Sequence, residues 1–396
     1  MNFIRDDLST NKVNDTVFAV LAKANQDLSS DKVNATIGSL CDEDGKLVAY
    51  KTFFDIYNNL DNRIKAKYAE SFSGNKAFNE AVIKHVLENK VKLPISAVAT
   101  SGGSGAVTIT IKDILKPGQT LLIPNIGWGS YKLMAAEYGL KVLEYDIYNL
   151  DDLALKAQSL AQSQDRILMI INAPSHNPCG VSYTVKEWQK LVSELNKIEV
   201  PTVLLNDIAY IDYCYDLKHS RDYLEAFNDI NDNLCIVIAF SLSKTMTSYG
   251  LRCGATIIIN KDAKQNQLVR QTFEKSCRAI WSNINNAAMV AFSTVYNECY
   301  DKFLDEKADY INLLKERADL FIKEADEVGL EYYPYTEGFF ITIKALERKE
   351  ELHAALIANH IYTVQVNQGL RIAICSVPKH DILGLAKRIK TVIDNF

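Results

Sequence analysis

Lys244 follows directly on the apolar run 234–240, in the stretch Ser241-Leu242-Ser243-Lys244-Thr245. Such a run predicts a buried strand, and the lysine then stands at its carboxyl end, where open α/β sheets keep their ligand sites. A lone lysine there is ordinarily a solvated charge in a strand-to-helix loop. This one has Ser241 three positions before it and Arg252 eight positions after it. An amine, a hydroxyl and a guanidinium at that spacing suit a small molecule bearing an aldehyde and a phosphate. The amine condenses with the aldehyde while Arg252 and Ser241 hold the phosphate dianion.

The other apolar runs end on residues of equally specific chemistry. After Ala99 comes Thr100-Ser101-Gly102-Gly103-Ser104-Gly105-Ala106, a Gly-rich turn that opens a helix. The amides of Gly103, Ser104 and Gly105 would point at a phosphate. After Ile123, Trp128 offers a flat face for stacking a ring. After Ile171, the turn-rich segment 172–180 contains Asn177, a donor for a phenolate oxygen. After Leu205 stand Asp207 and Tyr210. A carboxylate at the end of a buried strand needs a cation, and a pyridinium nitrogen supplies one. Each segment alone has an ordinary explanation: a tight turn, a core tryptophan, a loop. Their shared topological position argues for one site.

The elements that must position these residues are legible as alternating patterns. Strands are predicted at 96–99, 120–123, 166–171, 202–205, 234–240 and 255–259, separated by amphipathic helices such as 185–198. The fold class is therefore α/β, a mostly parallel central sheet flanked by helices on both faces, with a smaller α+β domain. A continuous helical region is expected from about Asn286 to Glu327, followed by strands at 338–343 and 370–374. The expected division is an arm at 1–45, joining the C-terminal part or a neighbouring subunit, a large domain at 46–300 and a small domain at 301–396.

The 396 residues suit two domains, and 48% hydrophobic with 23% charged residues is an ordinary globular balance. A net charge of −5 without a basic block argues against nucleic-acid or anionic-membrane partners. The N-terminal residues lack a signal-like apolar core, and no run reaches membrane-spanning length. Eight cysteines show no metal-ligand spacing and read as buried free thiols, so a cytoplasmic protein without a metal is expected.

In these residues the chain resembles the class I, fold type I pyridoxal-phosphate aminotransferases, the aspartate and aromatic enzymes above all. Ser241, Lys244 and Arg252 match the family's Ser-x-x-Lys with its following arginine. Asn177-Pro178-Cys179-Gly180 matches its Asn-Pro-Thr-Gly turn, Asp207 and Tyr210 its Asp-x-x-Tyr, and Trp128 its ring-stacking tryptophan. Arg371, in Gly369-Leu370-Arg371-Ile372-Ala373, matches its arginine for the substrate α-carboxylate. Arg278-Ala279-Ile280-Trp281-Ser282-Asn283 looks like the segment that reaches a neighbouring subunit's substrate, and Gly38 falls where the pocket is lined. Tyr68 corresponds to the tyrosine lent to the neighbour's phosphate, with a spacing to Gly74 one residue longer than usual. Cys179 replaces a threonine, Ser104 stands where a threonine is usual, and Tyr131 stands where the aspartate enzymes carry a histidine.

The resemblance implies a homodimer with shared active sites and pyridoxal 5'-phosphate as cofactor. Lys244 would be the covalent anchor and proton carrier, Asp207 the ring-nitrogen partner, and Tyr210 with Asn177 the phenolate holders. Trp128 and Asn177 would also face the substrate. It implies transamination between an acidic or aromatic L-amino acid and a 2-oxo acid such as 2-oxoglutarate, by ping-pong kinetics. Two other readings differ in observable ways. A β-lyase or decarboxylating enzyme on the same scaffold would release pyruvate and ammonia, or carbon dioxide. A regulatory cofactor-binding protein would show no turnover.

Overall fold

The computed structural model describes Phe3 and residues 16–345 and 347–395. Residues 1–2 and 4–15 of the expected arm lie outside the described residues. Twelve strands are present among them: β1 (Val33–Asn34), β2 (Ile95–Thr100), β3 (Thr120–Pro124), β4 (Lys141–Tyr145), β5 (Ile167–Asn172), β6 (Thr202–Asp207), β7 (Leu234–Ser241), β8 (Gly254–Ile259), β9 (Phe340–Lys344), β10 (Ile361–Tyr362), β11 (Val364–Val366) and β12 (Gly369–Ala373).

Seven of them form the central sheet in the order β2-β8-β7-β6-β5-β3-β4. Only β8 runs against its neighbours, so β2, β3, β5, β6 and β7 all end on the same edge. Strands β5, β6 and β7 are buried at every position, as their Ile, Leu and Val content demands of strands covered on both faces. On one face Leu168, Val203 and Val237 meet Val107 and Ile109 of helix Gly102–Ile114 and Phe273 of helix Ala263–Ile280. On the other face Met169, Leu204 and Ile236 meet Trp188 and Leu191 of helix Val185–Leu195 and Phe292 of helix Asn286–Glu298. Register puts Asn172 beside Asp207, and Asp207 beside Ala239, along the shared edge.

Two sequence expectations are corrected. Strand β4 is not among the predicted ones, because it lies at the sheet edge and its first two residues face solvent, which blurs the pattern. The helical region expected to run unbroken from Asn286 divides into Asn286–Glu298 and Tyr300–Val328 at Cys299, whose φ of −148° and ψ of 35° lie outside the helical region. The apolar periodicity continues through the break, so it carried no warning.

Beyond the break, β9 and β11 flank β12 in an antiparallel sheet, and β1 pairs in parallel with β10. Val33 and Ala35 share a core with Phe321, Ile341, Leu356, Ile372 and Ile389. Residues 33–35 thus pack with the C-terminal part of the chain. Arg317, fully buried, donates to the carbonyl oxygens of Cys41, Asp42 and Cys375 and pairs with Glu43. That clamp fixes the segment leading away from Gly38.

Candidate active site

Helix Gly102–Ile114 begins where β2 ends, and its first turn faces the sheet edge. The first amides of a helix have no partner within it. Gly102 has a φ of +66°, and a Cβ there would lie 2.8 Å from Arg252 Nη2. Glycine is needed for both reasons. Gly103 and Ser104 line the cleft. Gly105 is a correction: its amide donates to Ser101 at 3.2 Å, and a Cβ on it would meet the Trp281 ring.

Strand β7 delivers Ser241 and Lys244. Ser241 caps the short helix Leu242–Thr245, its Oγ accepting from the Ser243 amide at 3.2 Å, which leaves the hydroxyl proton free. Arg252 has a left-handed backbone (φ 49°), a costly conformation for a long side chain. Its Nη1 donates to Ser243 Oγ at 3.2 Å and to the Tyr249 carbonyl at 2.9 Å, so one edge of the guanidinium is fixed and the other faces the cradle.

Lys244 Nζ donates to the Gly38 carbonyl oxygen and lies 4.5 Å from the centre of the Tyr249 ring. Burial, reinforced by the positive charges of Arg371 and Arg252, brings its pKa down to about 8. Asp207 is buried at the end of β6. One carboxylate oxygen accepts from the Tyr131 hydroxyl at 2.7 Å and the other from the Ala209 amide at 3.2 Å. Burial raises its pKa and these two donors oppose the rise.

Arg371, on β12, is buried with its guanidinium 4.3 Å above the Phe340 ring. It donates to the Thr36 carbonyl at 2.7 Å and to Asn177 Oδ1 at 3.3 Å, while its Nε has no partner. Asn177 also lies beside the Tyr210 hydroxyl, whose proton burial holds firmly in place. Asn177 Oδ1 accepts from Arg371, which leaves its NH₂ group as the donor toward the Tyr210 oxygen. Trp128 also lines the cleft, edge-on to Tyr131 at 5.4 Å.

Fourteen residues line one cleft of about 210 Å³, Gly103, Trp128, Asn177, Asp207, Tyr210 and Lys244 among them. Sequence reasoning missed Asn172, Tyr249 and Phe340. Asn172 was visible as the first residue of a predicted turn; its amide donates to the Asp207 carbonyl at 2.8 Å and its oxygen accepts from the Asn177 amide at 2.8 Å. Tyr249 and Phe340 carried no signal beyond being aromatic. Gly38 touches the site through its carbonyl, and a Cβ there would lie 2.7 Å from Phe340 Cζ. Tyr68 and Arg278, expected to serve a neighbouring subunit's site, do not line this cleft. Tyr68 is 78% exposed, and Arg278 is an exposed cation stacked 4.6 Å above Phe72.

Among the described residues, neither Lys244, Arg252 nor Arg371 has a carboxylate within ion-pair distance. Arg252 and Arg371 lie near enough to Lys244 to lower its pKa, and the buried Asp207 lines the same cleft as Lys244 and Arg252. These cations and the orphaned Arg371 Nε suit an anionic ligand, and Asp207 suits a positive charge on it. Pyridoxal phosphate, with its phosphate dianion, aldehyde and protonated ring nitrogen, fits that donor set; an amino acid's carboxylate fits Arg371.

Comparison with known proteins agrees with this geometry. The family model for class I and II aminotransferases matches residues 8–389. A mitochondrial aspartate aminotransferase of Dictyostelium discoideum is 26% identical over 287 residues, covering 68% of this chain and 65% of that protein. An aspartate aminotransferase of Salmonella typhi is 28% identical over 239 residues, 58% of this chain and 59% of that one. The chain thus matches about six-tenths of the length of these curated relatives. Among solved structures, an aminotransferase from Anaerococcus prevotii superposes with a TM-score of 0.95 at 29% identity, over 99% of both chains. An aromatic-amino-acid aminotransferase from Burkholderia pseudomallei, covalently bound to pyridoxal phosphate, shares the fold with a TM-score of 0.79 at 20% identity, over 99% of this chain and 100% of that one. With the family model spanning nearly its whole length, this chain belongs to the class I and II aminotransferases.

Proposed function

We propose that the protein is a pyridoxal-phosphate-dependent aminotransferase that exchanges the amino group of an acidic or aromatic L-amino acid with a 2-oxo acid such as 2-oxoglutarate. The observation that carries this reading is one cleft lined by Lys244, Arg252 and the buried Asp207, with Arg371 near Lys244 and none of the three cations in an ion pair among the described residues. When bound, the cofactor supplies an aldehyde for the amino group and a ring that takes up electron density from Cα.

The chain's own residues have separable tasks. The amides of Gly103 and Ser104, the Ser241 hydroxyl and the free edge of Arg252 hold the phosphate. Trp128, which lines the cleft, would cover one ring face. Asp207, kept ionised, holds a proton on the ring nitrogen. Tyr210 and Asn177 hold the phenolic oxygen. Arg371 grips the substrate α-carboxylate, and its pre-set contacts with Thr36 and Asn177 fix the fork in one plane. Lys244, with a pKa near 8, is unprotonated in a useful fraction at neutral pH and can carry a proton to and from Cα. Its withdrawal from the Gly38 carbonyl is then part of its working cycle.

Tyr68 and Arg278 take roles only if a second copy of the chain brings them beside its cleft, so the reading includes a homodimer. An exposed arginine that rests on Phe72 and donates to the Ser282 hydroxyl presents a cation to a distal carboxylate. The test is a panel of amino donors against oxo-acid acceptors, read as oxo acid formed, with sedimentation of the active species. Exchange in two separable half-reactions by a dimer supports the reading. Release of ammonia or carbon dioxide without exchange, or full activity from a monomer, contradicts it.

A further inference from the structure

We infer that Tyr213 is a positioning residue that holds Lys244 within reach of the cofactor's aldehyde; this rests on the functional reading above. Tyr213 is fully buried, and its hydroxyl donates to the Lys244 carbonyl oxygen at 2.9 Å. Burial holds the phenol proton well above the ordinary phenol range, so the donor persists across working pH. A phenol has one proton to give. In the 3.0 Å contact between the Tyr213 and Tyr50 hydroxyls, Tyr50 is therefore the donor. The ionisable groups that face Tyr213 are Tyr50, Asp212, Tyr249 and Lys307.

Lys244 needs outside support. It lies in helix Leu242–Thr245, which at four residues is too short to be stable on its own. The chain leaves that helix through Thr247, whose φ of 47° is a costly left-handed conformation that its surroundings must impose. Within its own segment the Lys244 carbonyl accepts from the Thr247 amide at 3.1 Å, and Tyr213 adds a donor from the loop behind β6. Tyr50 braces the same segment a second time, its amide donating to Thr247 Oγ1 at 3.0 Å.

Tyr213 is in turn fixed by charges that the reaction does not use. It closes the short helix Ile211–Tyr213, its amide donating to the Tyr210 carbonyl at 2.8 Å. The middle residue, Asp212, is buried and pairs with Arg221, with His85 Nε2 at 3.0 Å and with Lys307 Nζ at 3.3 Å. His85 comes from helix Lys76–Leu87 and Lys307 from helix Tyr300–Val328, so distant parts of the chain converge on the neighbour of Tyr213. Lys307 Nζ also stands 5.8 Å from the centre of the Tyr213 ring. A buried ion cluster is a costly route to stability, and its best-attested use is to select one arrangement. Here that arrangement sets two tyrosines together, Tyr210 lining the cleft and Tyr213 bonded to the lysine.

Tyr213→Phe removes the hydroxyl and keeps the ring. When cofactor-free protein is mixed with saturating pyridoxal phosphate, the Lys244 amine adds to the aldehyde carbon and water leaves. The visible absorbance band that grows in reports this joining. In the variant its rate should fall roughly ten- to a hundredfold, the scale of a misplacement of about 1 Å. In a Lys244→Ala background the same change should leave cofactor affinity unaltered, because no side chain remains to be placed. An unchanged rate of joining overturns the inference. So does a loss of affinity in the Lys244→Ala background as large as the loss of rate, which makes Tyr213 a packing residue of the cleft.

Should Tyr213→Phe not fold, Tyr50→Phe removes the donor that keeps the Tyr213 proton turned toward Lys244 and leaves Tyr213 in place. Joining should then slow by roughly two- to tenfold, the scale of one neutral hydrogen bond. An unchanged rate overturns the inference equally. Wild-type protein that takes up no pyridoxal phosphate sinks the functional reading itself. Normal joining by the wild type and by Tyr213→Phe alike sinks only the role of Tyr213.

Discussion

Lys244 and Gly38 are 206 residues apart in the chain, and the lysine's ammonium donates to the glycine's carbonyl oxygen across the cleft. The contact joins the end of a central strand to the segment that packs with the C-terminal part of the chain. It also shows what limits the lysine: a buried amine with one acceptor and two guanidinium neighbours.

That environment makes a pH prediction for the cofactor-free protein. The folded pKa of Lys244 is about 8, against 10.5 for an ordinary lysine. Between those values the unfolded chain binds a proton that the folded chain does not, so stability rises with pH across that window. The cost is present in full below about pH 8. Lys244→Met should therefore raise the melting temperature of the cofactor-free protein at pH 7, with the gain shrinking from about pH 8 upward and gone near pH 10.5. Thermal melts of both proteins from pH 6.5 to 10.5 check this; a gain that grows with pH contradicts it.

Asp207→Asn keeps the shape and the Tyr131 contact but removes the charge. The chemical step should slow by at least about a hundredfold, on the scale of losing one preorganised electrostatic group. Cofactor affinity should fall by less. Single-turnover kinetics with a deuterated Cα separate the two, and near-normal proton loss from Cα rules out Asp207 as the ring-nitrogen partner.

Arg278 tests specificity. Removing it leaves a distal carboxylate unpaired, which typically costs about 2–5 kcal/mol, roughly thirtyfold to several thousandfold. The loss should fall on kcat/KM for glutamate and aspartate and spare phenylalanine. Arg371→Ala should harm all three, since each carries the α-carboxylate, and Arg371→Lys should not restore them. Equal losses on glutamate and phenylalanine for Arg278→Ala make that residue an interface contact and nothing more.

Much of this site was legible because chemistry sits directly behind apolar runs. Asp207 and Lys244 each follow a stretch that could only be a buried strand, and strand ends are fixed by hydrophobic pattern. What was not legible depends on distant parts of the chain. The Thr36 carbonyl meets Arg371 from 335 residues away, and no local pattern foretells it. Phe340 was visible as part of a strand, yet its place beneath Arg371 follows from the packing of β9 against β12. Gly105 looked like part of the cradle, but a helix's fourth amide is the first to find a partner within it, as the bond to Ser101 shows. Strand β4 escaped because an edge strand with exposed Lys141 and Val142 lacks the apolar contrast of its neighbours.

The central claim is that Lys244 is the residue to which the cofactor is joined. Borohydride reduction of the protein loaded with pyridoxal phosphate, followed by peptide mapping, tests it most directly. The account predicts a single stable adduct on the peptide containing Lys244, absent from a folded Lys244→Ala protein that still takes up the cofactor. A stoichiometric adduct on any other lysine contradicts it.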